Sequence, residues 1–464
     1  MVISRNRINS ITFNSNPTFS ENALQDIVTA HLLNQPQRFS PKRFVVAFSG
    51  GLDSTVLLYS LKQIAHTHSI PLKAIHINHQ LNSAADEWQA MCQVFCEKQN
   101  ISFESIKVCV AEDGKSPEDA ARQARYGAIK SGLIKNDILF MGHHKDDQIE
   151  TFFLRLLRGA GIDGITSMKI LSPFHNSYLF RPLLFFTRKS LFAYAESQSL
   201  SWIEDDSNTD ERYDRNYLRH QVLPVIAKRW PAYINTINRF IEHATDASNL
   251  IKKISEDDLK VCLNKENDTL DIKKLKNYSL LRQNNLIRMW LNEKVKYPLS
   301  LKQLTEIQNV IFAKVDAEPK FQMGAKSICR YRNELHWVAN IDNEMPGAMS
   351  LENFDLSKVI NLPDNATIVF RKNSNVGIGL SHLQDAKIEI RFRQVGDKCR
   401  PQSRGQRHSL KKIFQEIGIP PWERDSIPLL TINGEVAALI GYFYCEPFID
   451  DVHNEFVEFV LKRE

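Results

Sequence analysis

The chain has 464 residues, 43% of them hydrophobic and 24% charged, with a formal net charge of +5. That length suits two to four domains of roughly 100–200 residues each, and the charge is too mild to imply a nucleic-acid partner by itself. No apolar run is long enough to span a bilayer, and the polar, Asn-rich stretch 1–17 lacks the apolar core of a secretory signal.

The leader is followed by a predicted helix over 21–33. Strand-like runs then cover 44–48, 73–78, 102–108 and 137–141, with helical patterns over 54–64, 85–99 and 117–130. Strands and helices alternating at this spacing indicate βαβ units, a parallel sheet and helices on both faces. Beyond residue 231 the periodicity becomes helical, over 233–254, 280–294 and 300–315. Residues 341–348 read as a linker, and Asn433-Gly434 between two apolar runs signals a hairpin. The expected fold class is α/β: a doubly wound parallel-sheet domain over 1–231, a mostly helical domain over 232–345, and a small α+β domain over 346–464. Seven scattered cysteines include no C-x-x-C pair. An odd number without disulfide spacing fits a reducing cytoplasm, and Cys92 and Cys96 read as buried thiols.

The first strand runs directly into Ser49-Gly50-Gly51-Leu52-Asp53-Ser54-Thr55. A diglycine turn between a strand and a helix lets the backbone bend until its N–H groups converge on an anion, and the helix start adds further amides. The run has no Gly-Lys-Ser/Thr and is too short for a Walker A loop. It resembles the Ser-Gly-Gly-x-Asp-Ser loop of the N-type ATP pyrophosphatases, the PP-loop family. That resemblance implies a grip on the β- and γ-phosphates of ATP by Ser49–Ser54, attack at the α-phosphorus and release of pyrophosphate.

Four more segments carry chemistry. Asn78 and His79 end the second strand, where a doubly wound sheet brings its loop to the nucleoside half of a nucleotide; read alone, they would simply cap the strand. Ser116-Pro117-Glu118-Asp119 is a helix start, and the helix carries Arg122 and Arg125 on one face, placed to hold phosphate or to sit in solvent. The fourth strand ends in Gly142-His143-His144-Lys145-Asp146-Asp147-Gln148-Ile149-Glu150-Thr151. On a helix His143, Asp147 and Glu150 share a face, suited to a divalent metal, an amine or proton transfer. Magnesium bridged through ATP phosphates suits this donor set better than a protein-only zinc site. Finally, an acidic loop from Glu204 leads into a helix with Arg215, Asn216 and Arg219 on one side. In the third domain Arg391, Arg393, Lys398, Arg400, Arg404, Arg407, Lys411 and Lys412 face only Asp397 within 391–412, a local excess that reads as a phosphate-backbone footprint.

Taken together and in this order, Ser49–Thr55, His76–His79, Ala121–Tyr126, His143–Thr151, Asp206–Arg219 and the basic end segment running into 417–425 resemble the bacterial tRNA(Ile)-lysidine synthases. The resemblance implies that ATP adenylylates the C2 oxygen of the wobble cytidine of tRNA(Ile), and that the ε-amine of free L-lysine then displaces AMP at C2. It implies ATP and Mg²⁺ as cofactors, with Asp53 acting beside the metal. Asp147 and Glu150 become candidates to meet the lysine, with their roles undivided. Arg122, Arg125 or Arg219 would stabilise charge at the α-phosphate, and His143 would contact the base or the nucleotide. Arg400, Arg404, Arg407, Lys411 and Lys412 are the expected tRNA contacts. The expected setting is cytoplasmic, with no membrane and no obligate protein partner; a homodimer is left open. The competing enzyme reading is a PP-loop tRNA thiolase, which would call for a C-x-x-C pair or a cysteine near the loop.

Overall fold

The computed structural model describes residues 17–462 except 36–38, 81, 109–116, 315–316, 318, 341–346, 352–355, 363–365, 403–404 and 451–454. The leader before residue 17, the Ser116 cap, Arg404 and most of the 341–348 linker therefore lie outside the described residues. The chain divides into two compact units, Met1–Lys252 and Lys253–Glu464. No helix among the described residues is long and apolar enough to cross a membrane.

The first unit opens with α1 (Glu21–Val28), capped by the Ser20 hydroxyl and continued by a π-helical turn, Thr29–Leu33. The alternation expected from the sequence follows: β1 (Arg43–Ala47), α2 (Leu52–Thr67), β2 (Leu72–Asn78), α3 (Ala85–Lys98), β3 (Ser102–Lys107), α4 (Pro117–Ser131), β4 (Asp137–Phe140) and α5 (Lys145–Leu157). Then come α6 (Ile162–Ile165), β5 (Leu171–Phe174), β6 (Ser177–Phe180), α7 (Arg188–Ser197), α8 (Asp214–Tyr217), α9 (Leu223–Arg229) and the long α10 (Tyr233–Cys262), whose residues from Lys253 onward belong to the second unit. The sheet order is β3-β2-β1-β4-β6-β5, parallel throughout except that β5 is antiparallel to β6. The β5–β6 hairpin was not apparent in the sequence, because two four-residue strands around His175-Asn176 leave too short an alternation to see.

β1 is buried on both faces, as a central parallel strand must be. Phe44 and Val46 face a core that includes Phe140 and Phe180, while Val45 faces Ile75, Ile129 and Leu139 on the other side. Phe44 and Phe140 meet edge to face at 4.8 Å. Arg43 pins the far ends of β1 and β4 together through the fully buried Asp137, at 2.6 Å. The strand order reverses between β1 and β4, so the crevice beyond their carboxyl ends is where such a sheet binds ligands. Both the diglycine turn and the double-histidine motif leave the sheet at that edge.

In the second unit the expected helices appear as Leu280–Leu291 and Leu301–Phe312. They pack with a five-stranded antiparallel sheet that helical periodicity had hidden, built from Leu263–Asn264, Thr269–Asp271, Lys320–Met323, Lys326–Tyr331 and Glu334–Ala339. Three further antiparallel sheets, of five, four and two strands, and the helix Leu410–Ile417 lie in the rest of the second unit. The hairpin signal holds: Leu429–Ile432 pairs with Glu435–Leu439 across Asn433 and Gly434, both at positive φ (51° and 85°).

Candidate active site

The diglycine turn is shaped by one glycine that has no alternative. Gly50 sits at φ 83°, and a Cβ there would lie 2.5 Å from Ile203 Cδ1 and 2.7 Å from Cys92 Sγ. The loop is thus clamped from below: Ile203 N donates to Gly50 O at 2.9 Å, and the Thr55 hydroxyl donates to the same oxygen. Gly51 is different, since a Cβ there would meet only ordinary contacts; its upper side is open. The Ser54 hydroxyl donates to Gly51 O and lies 3.0 Å from Ser49 Oγ, so both hydroxyls and the first amides of α2 rim one cradle. Leu52 is buried and anchors the start of α2.

β4 delivers the second half of the site. Gly142 lets the strand end press on the start of α2, where a Cβ would come within 3.1 Å of the Asp53 carbonyl carbon and Ser54 N. His144 caps α5: Asp147 N donates to its Nδ1 at 3.3 Å, and His144 N donates to Asp147 Oδ2 at 3.0 Å. With Nδ1 accepting, Nε2 carries the proton and lies 3.6 Å from Asp53 Oδ2 and 3.5 Å from Asp147 Oδ2. Burial works against charge on this imidazole, but Asp147, Asp53, Asp146 and Glu150 outweigh it and raise its pKa.

The carboxylates differ sharply in environment. Glu150, with its side chain 2% exposed, is locked by Arg215 Nε at 2.7 Å and by Arg219 Nε and Nη2 at 2.6 and 3.0 Å. Asp147 has the same two arginines only at 3.6–3.7 Å and is more exposed, at 13%. Burial alone would raise the Asp147 pKa, but His144, Arg215 and His143 hold it well below the ordinary carboxylate range. Asp53 goes the other way: burial, reinforced by Asp147, raises its pKa against the pull of His144, Arg188 and Arg219. Asp53 Oδ1 is buried without a hydrogen-bond partner, a condition that suits a hard cation. Among the described residues no group of three or more His, Cys, Asp or Glu side chains is placed to hold a metal ion.

His143 brings in a residue that sequence reasoning missed. Arg181, at the end of β6 and 8% exposed, donates from Nε to His143 Nδ1 at 3.2 Å and from Nη1 to Lys169 O at 2.9 Å. The imidazole accepts on Nδ1 and so presents Nε2–H; burial and the arginines around it push its pKa down to about 3. The available signal was positional, since Arg181 precedes Pro182 at the same sheet edge as the other motifs.

The remaining expected residues divide. Arg122 lies over the Tyr126 ring at 5.2 Å and donates weakly to its hydroxyl. Arg125 donates to His79 Nε2 at 3.3 Å, while His79 Nδ1 is buried without a partner. Asn78 is already engaged: its amide donates to Asp86 and Gln89, and its carbonyl accepts from Gln80 N. Lys145, fully buried on α5, donates to Asn235 Oδ1 at 3.0 Å, and burial lowers its pKa to about 8. Cys92, whose sulfur lies beside Gly50, is buried and pushed up to about 12.

In the second unit the basic segment is less bare than its letters suggest. Arg391 and Asp397 form a two-pronged pair at 2.8 Å, as expected from their proximity in sequence. But Arg393 also meets Asp425 at 3.3 Å, Arg400 meets Glu446 at 2.6 Å, and Arg407 meets Glu435 at 2.6 Å. These acids stand far along the chain and arrive only by folding, which corrects the expectation that Asp397 alone opposes the segment. Lys411 and Lys412 are exposed on the first turn of their helix.

A PP-loop domain matches residues 22–226, a TilS substrate binding domain residues 270–336, and a TilS substrate C-terminal domain residues 388–458. The tRNA(Ile)-lysidine synthase of Coxiella burnetii (strain RSA 493 / Nine Mile phase I) is 38% identical over 88% of this chain and 91% of its own length. That of Proteus mirabilis (strain HI4320) is 37% identical over 89% and 94%. The solved U34-tRNA thiolase NcsA from Methanococcus maripaludis is 18% identical, with a TM-score of 0.39 over 48% of this chain and 77% of that one.

Proposed function

The chain belongs to the tRNA(Ile)-lysidine synthase family, and from that premise we propose how its own side chains divide the work of ATP-dependent lysidine formation on tRNA(Ile). ATP lies across the β1–β4 crevice. Its β- and γ-phosphates rest on the amides and hydroxyls of Ser49–Ser54, with the nucleoside toward His79. Asp53 is the residue that would hold Mg²⁺, which when bound neutralises phosphate charge and eases the departure of pyrophosphate. The C2 oxygen of the wobble cytidine forms a bond to the α-phosphorus as the bond to pyrophosphate breaks. Arg122 and Arg219 stand ready to stabilise the charge that develops there. His143, held as a neutral Nε2–H donor by Arg181, offers a hydrogen bond to the base or to the transferring phosphate.

The lysine step separates the two carboxylates. Both oxygens of Glu150 are consumed by Arg215 and Arg219, so Glu150 is a positioning residue that orients those guanidiniums. Among the described residues Asp147 Oδ1 has no partner closer than 3.6 Å, and its depressed pKa keeps it ionised. Asp147 is therefore assigned to the incoming ε-ammonium of lysine. The ammonium gives up its proton to solvent water, the free amine forms the bond to C2, and the C2–O bond to AMP breaks. The observation that carries this reading is the clamped Gly50 loop facing the His144–Asp147–Glu150 cluster across one crevice.

The thiolase reading gains nothing from the site, since a buried thiol pushed up to about 12 is poorly disposed to form a reactive thiolate. The test supplies tRNA(Ile), ATP and labelled L-lysine. Label should enter the tRNA, with pyrophosphate release independent of lysine and AMP release dependent on it. Lysine-independent modification, or no label in the tRNA, overturns the assignment.

A further inference from the structure

The second unit contains a cleft that nothing in the adenylylation chemistry uses. It encloses about 670 Å³ between the strand Glu334–Ala339 on one side and the segment 418–423 on the other. The two sides are tied by Arg332, whose Nη2 donates to Gln415 O at 3.1 Å. Trp422 is half-buried in the cleft, its ring 4.9 Å from that of His336 and 6.1 Å from that of Tyr331.

Three polar atoms from residues lining this cleft are buried with no hydrogen-bond partner: Thr269 Oγ1, Trp337 Nε1 and His336 Nε2, the last with the Glu334 carboxylate 3.8 Å away. Each such group costs stability unless something outside the protein satisfies it. Burial lowers the pKa of His336, so its ring is neutral. The charged residues at the cleft are Arg332, Glu334 and Glu423, an excess of carboxylate over guanidinium. A phosphate would be repelled from the interior. An uncharged flat ring with amino and carbonyl groups on its edge would not be: it can stack on the indole, donate to Glu334 and exchange hydrogen bonds with the orphaned atoms. Tyr331 and His336 lie in the segment matched as a TilS substrate binding domain, and Trp422 in the one matched as a TilS substrate C-terminal domain.

We propose that this cleft captures the base of an unpaired nucleotide of the tRNA, stacked against Trp422, with its phosphates left outside. The inference rests on tRNA being the substrate. It assigns a base-reading contact remote in sequence from the PP-loop chemistry and distinct from the basic segment 391–412.

The test uses the full chain and measures tRNA(Ile) binding across a salt series, with labelled-lysine incorporation followed in the same samples. Trp422→Leu should raise the Kd about tenfold or more, the effect of losing one stacked base. The slope of log Kd against log salt should not change, because a base contact releases no counterions. Trp422→Phe, which keeps a stacking face, should bind within about threefold of the parent. Thr269→Val should weaken binding about threefold through one missing hydrogen bond. The proposal is overturned if Trp422→Leu binds like the parent, if its salt slope flattens, or if Trp422→Phe is as weak as Trp422→Leu. Absent lysine incorporation with Trp422-dependent binding would remove the lysidine reading and leave this inference standing; incorporation with unchanged Kd values does the reverse.

Discussion

The crevice of the first unit and the basic segment of the second are both dense in charge, yet they are built in opposite ways. Around the crevice, Asp53, His144, Asp147 and Glu150 sit at the N-terminal ends of α2 and α5, which follow β1 and β4, and sheet pairing brings those helix starts together. Spacing in sequence becomes geometry almost directly there. Along 391–412 the positive charges are also neighbours in sequence, but folding brings Asp425, Glu435 and Glu446 against three of them. A motif fixed by backbone geometry can be read from its letters. A charge excess cannot, because any distant segment can neutralise it.

If the crevice is a single electrostatic device, its members should fail differently. Asp53→Ala should reduce pyrophosphate release by about 10²–10³-fold while tRNA binding persists; normal release in that variant removes the phosphate role. Asp147→Asn should raise the lysine KM by about thirtyfold or more, with pyrophosphate release largely kept. Glu150→Gln should instead act on stability. It leaves two half-buried guanidiniums with only Asp147 nearby, at a cost of about 1–3 kcal/mol, and thermal melting should register that loss. Equal lysine KM values for the Asp147 and Glu150 variants would erase the division of labour.

Much of this arrangement was legible beforehand. The four parallel strands and their helices follow from period and spacing, and the loop from Gly50-Gly51. What stayed hidden depended on contacts between distant positions. Ile203 clamps Gly50 from more than 150 residues away, and Arg181 orients His143 from a strand too short to announce itself. The five-stranded sheet of the second unit was masked by the stronger helical signal around it. The split between Asp147 and Glu150 was invisible too, because it rests on how close each comes to the same two arginines, 2.6–2.7 Å for Glu150 against 3.6–3.7 Å for Asp147.

The tautomer link gives a smaller effect with a distinct signature. Arg181→Met removes the donor to His143 Nδ1 and should lower turnover about tenfold, the scale of one hydrogen bond. The readout that a purely structural role would not move is the ¹⁵N shift pattern of His143, which should change from a single Nε2–H tautomer to a mixture; an unchanged pattern removes the positioning role. In the basic segment, charge reversal at Lys411 and Lys412 should weaken tRNA binding severalfold and reduce the salt slope by about one for each phosphate no longer neutralised. Arg391→Met should lower the melting temperature and leave the slope alone, since its guanidinium is spent on Asp397. Glu435→Gln, which frees Arg407, should strengthen binding slightly. A slope that responds equally to Arg391 and to the lysines would mean that pairing in the folded chain does not govern which cations reach the RNA.

The smallest effect concerns pH. The pKa of His143 is pushed down to about 3 and that of His79 to about 4, against an unfolded value near 6.5. Both imidazoles are neutral in folded and unfolded chains at neutral pH. As pH falls below about 6.5 the unfolded chain takes up protons that the folded chain refuses, so stability must decline between about pH 6.5 and 4. His144 has the opposite sign: its raised pKa makes its contribution greatest in acid and lost as pH rises through the folded value. Asp147 joins only in stronger acid, because a depressed carboxylate pKa gives stability that disappears once pH drops below the ordinary range. His143→Gln removes one of the groups acting in the upper window. Its melting temperature should therefore fall less steeply from pH 6.5 to 4 than the parent's. A parallel slope would mean that His143 protonates freely in the folded chain, and that the Arg181 bond does not hold the crevice in its neutral, donor-bearing form.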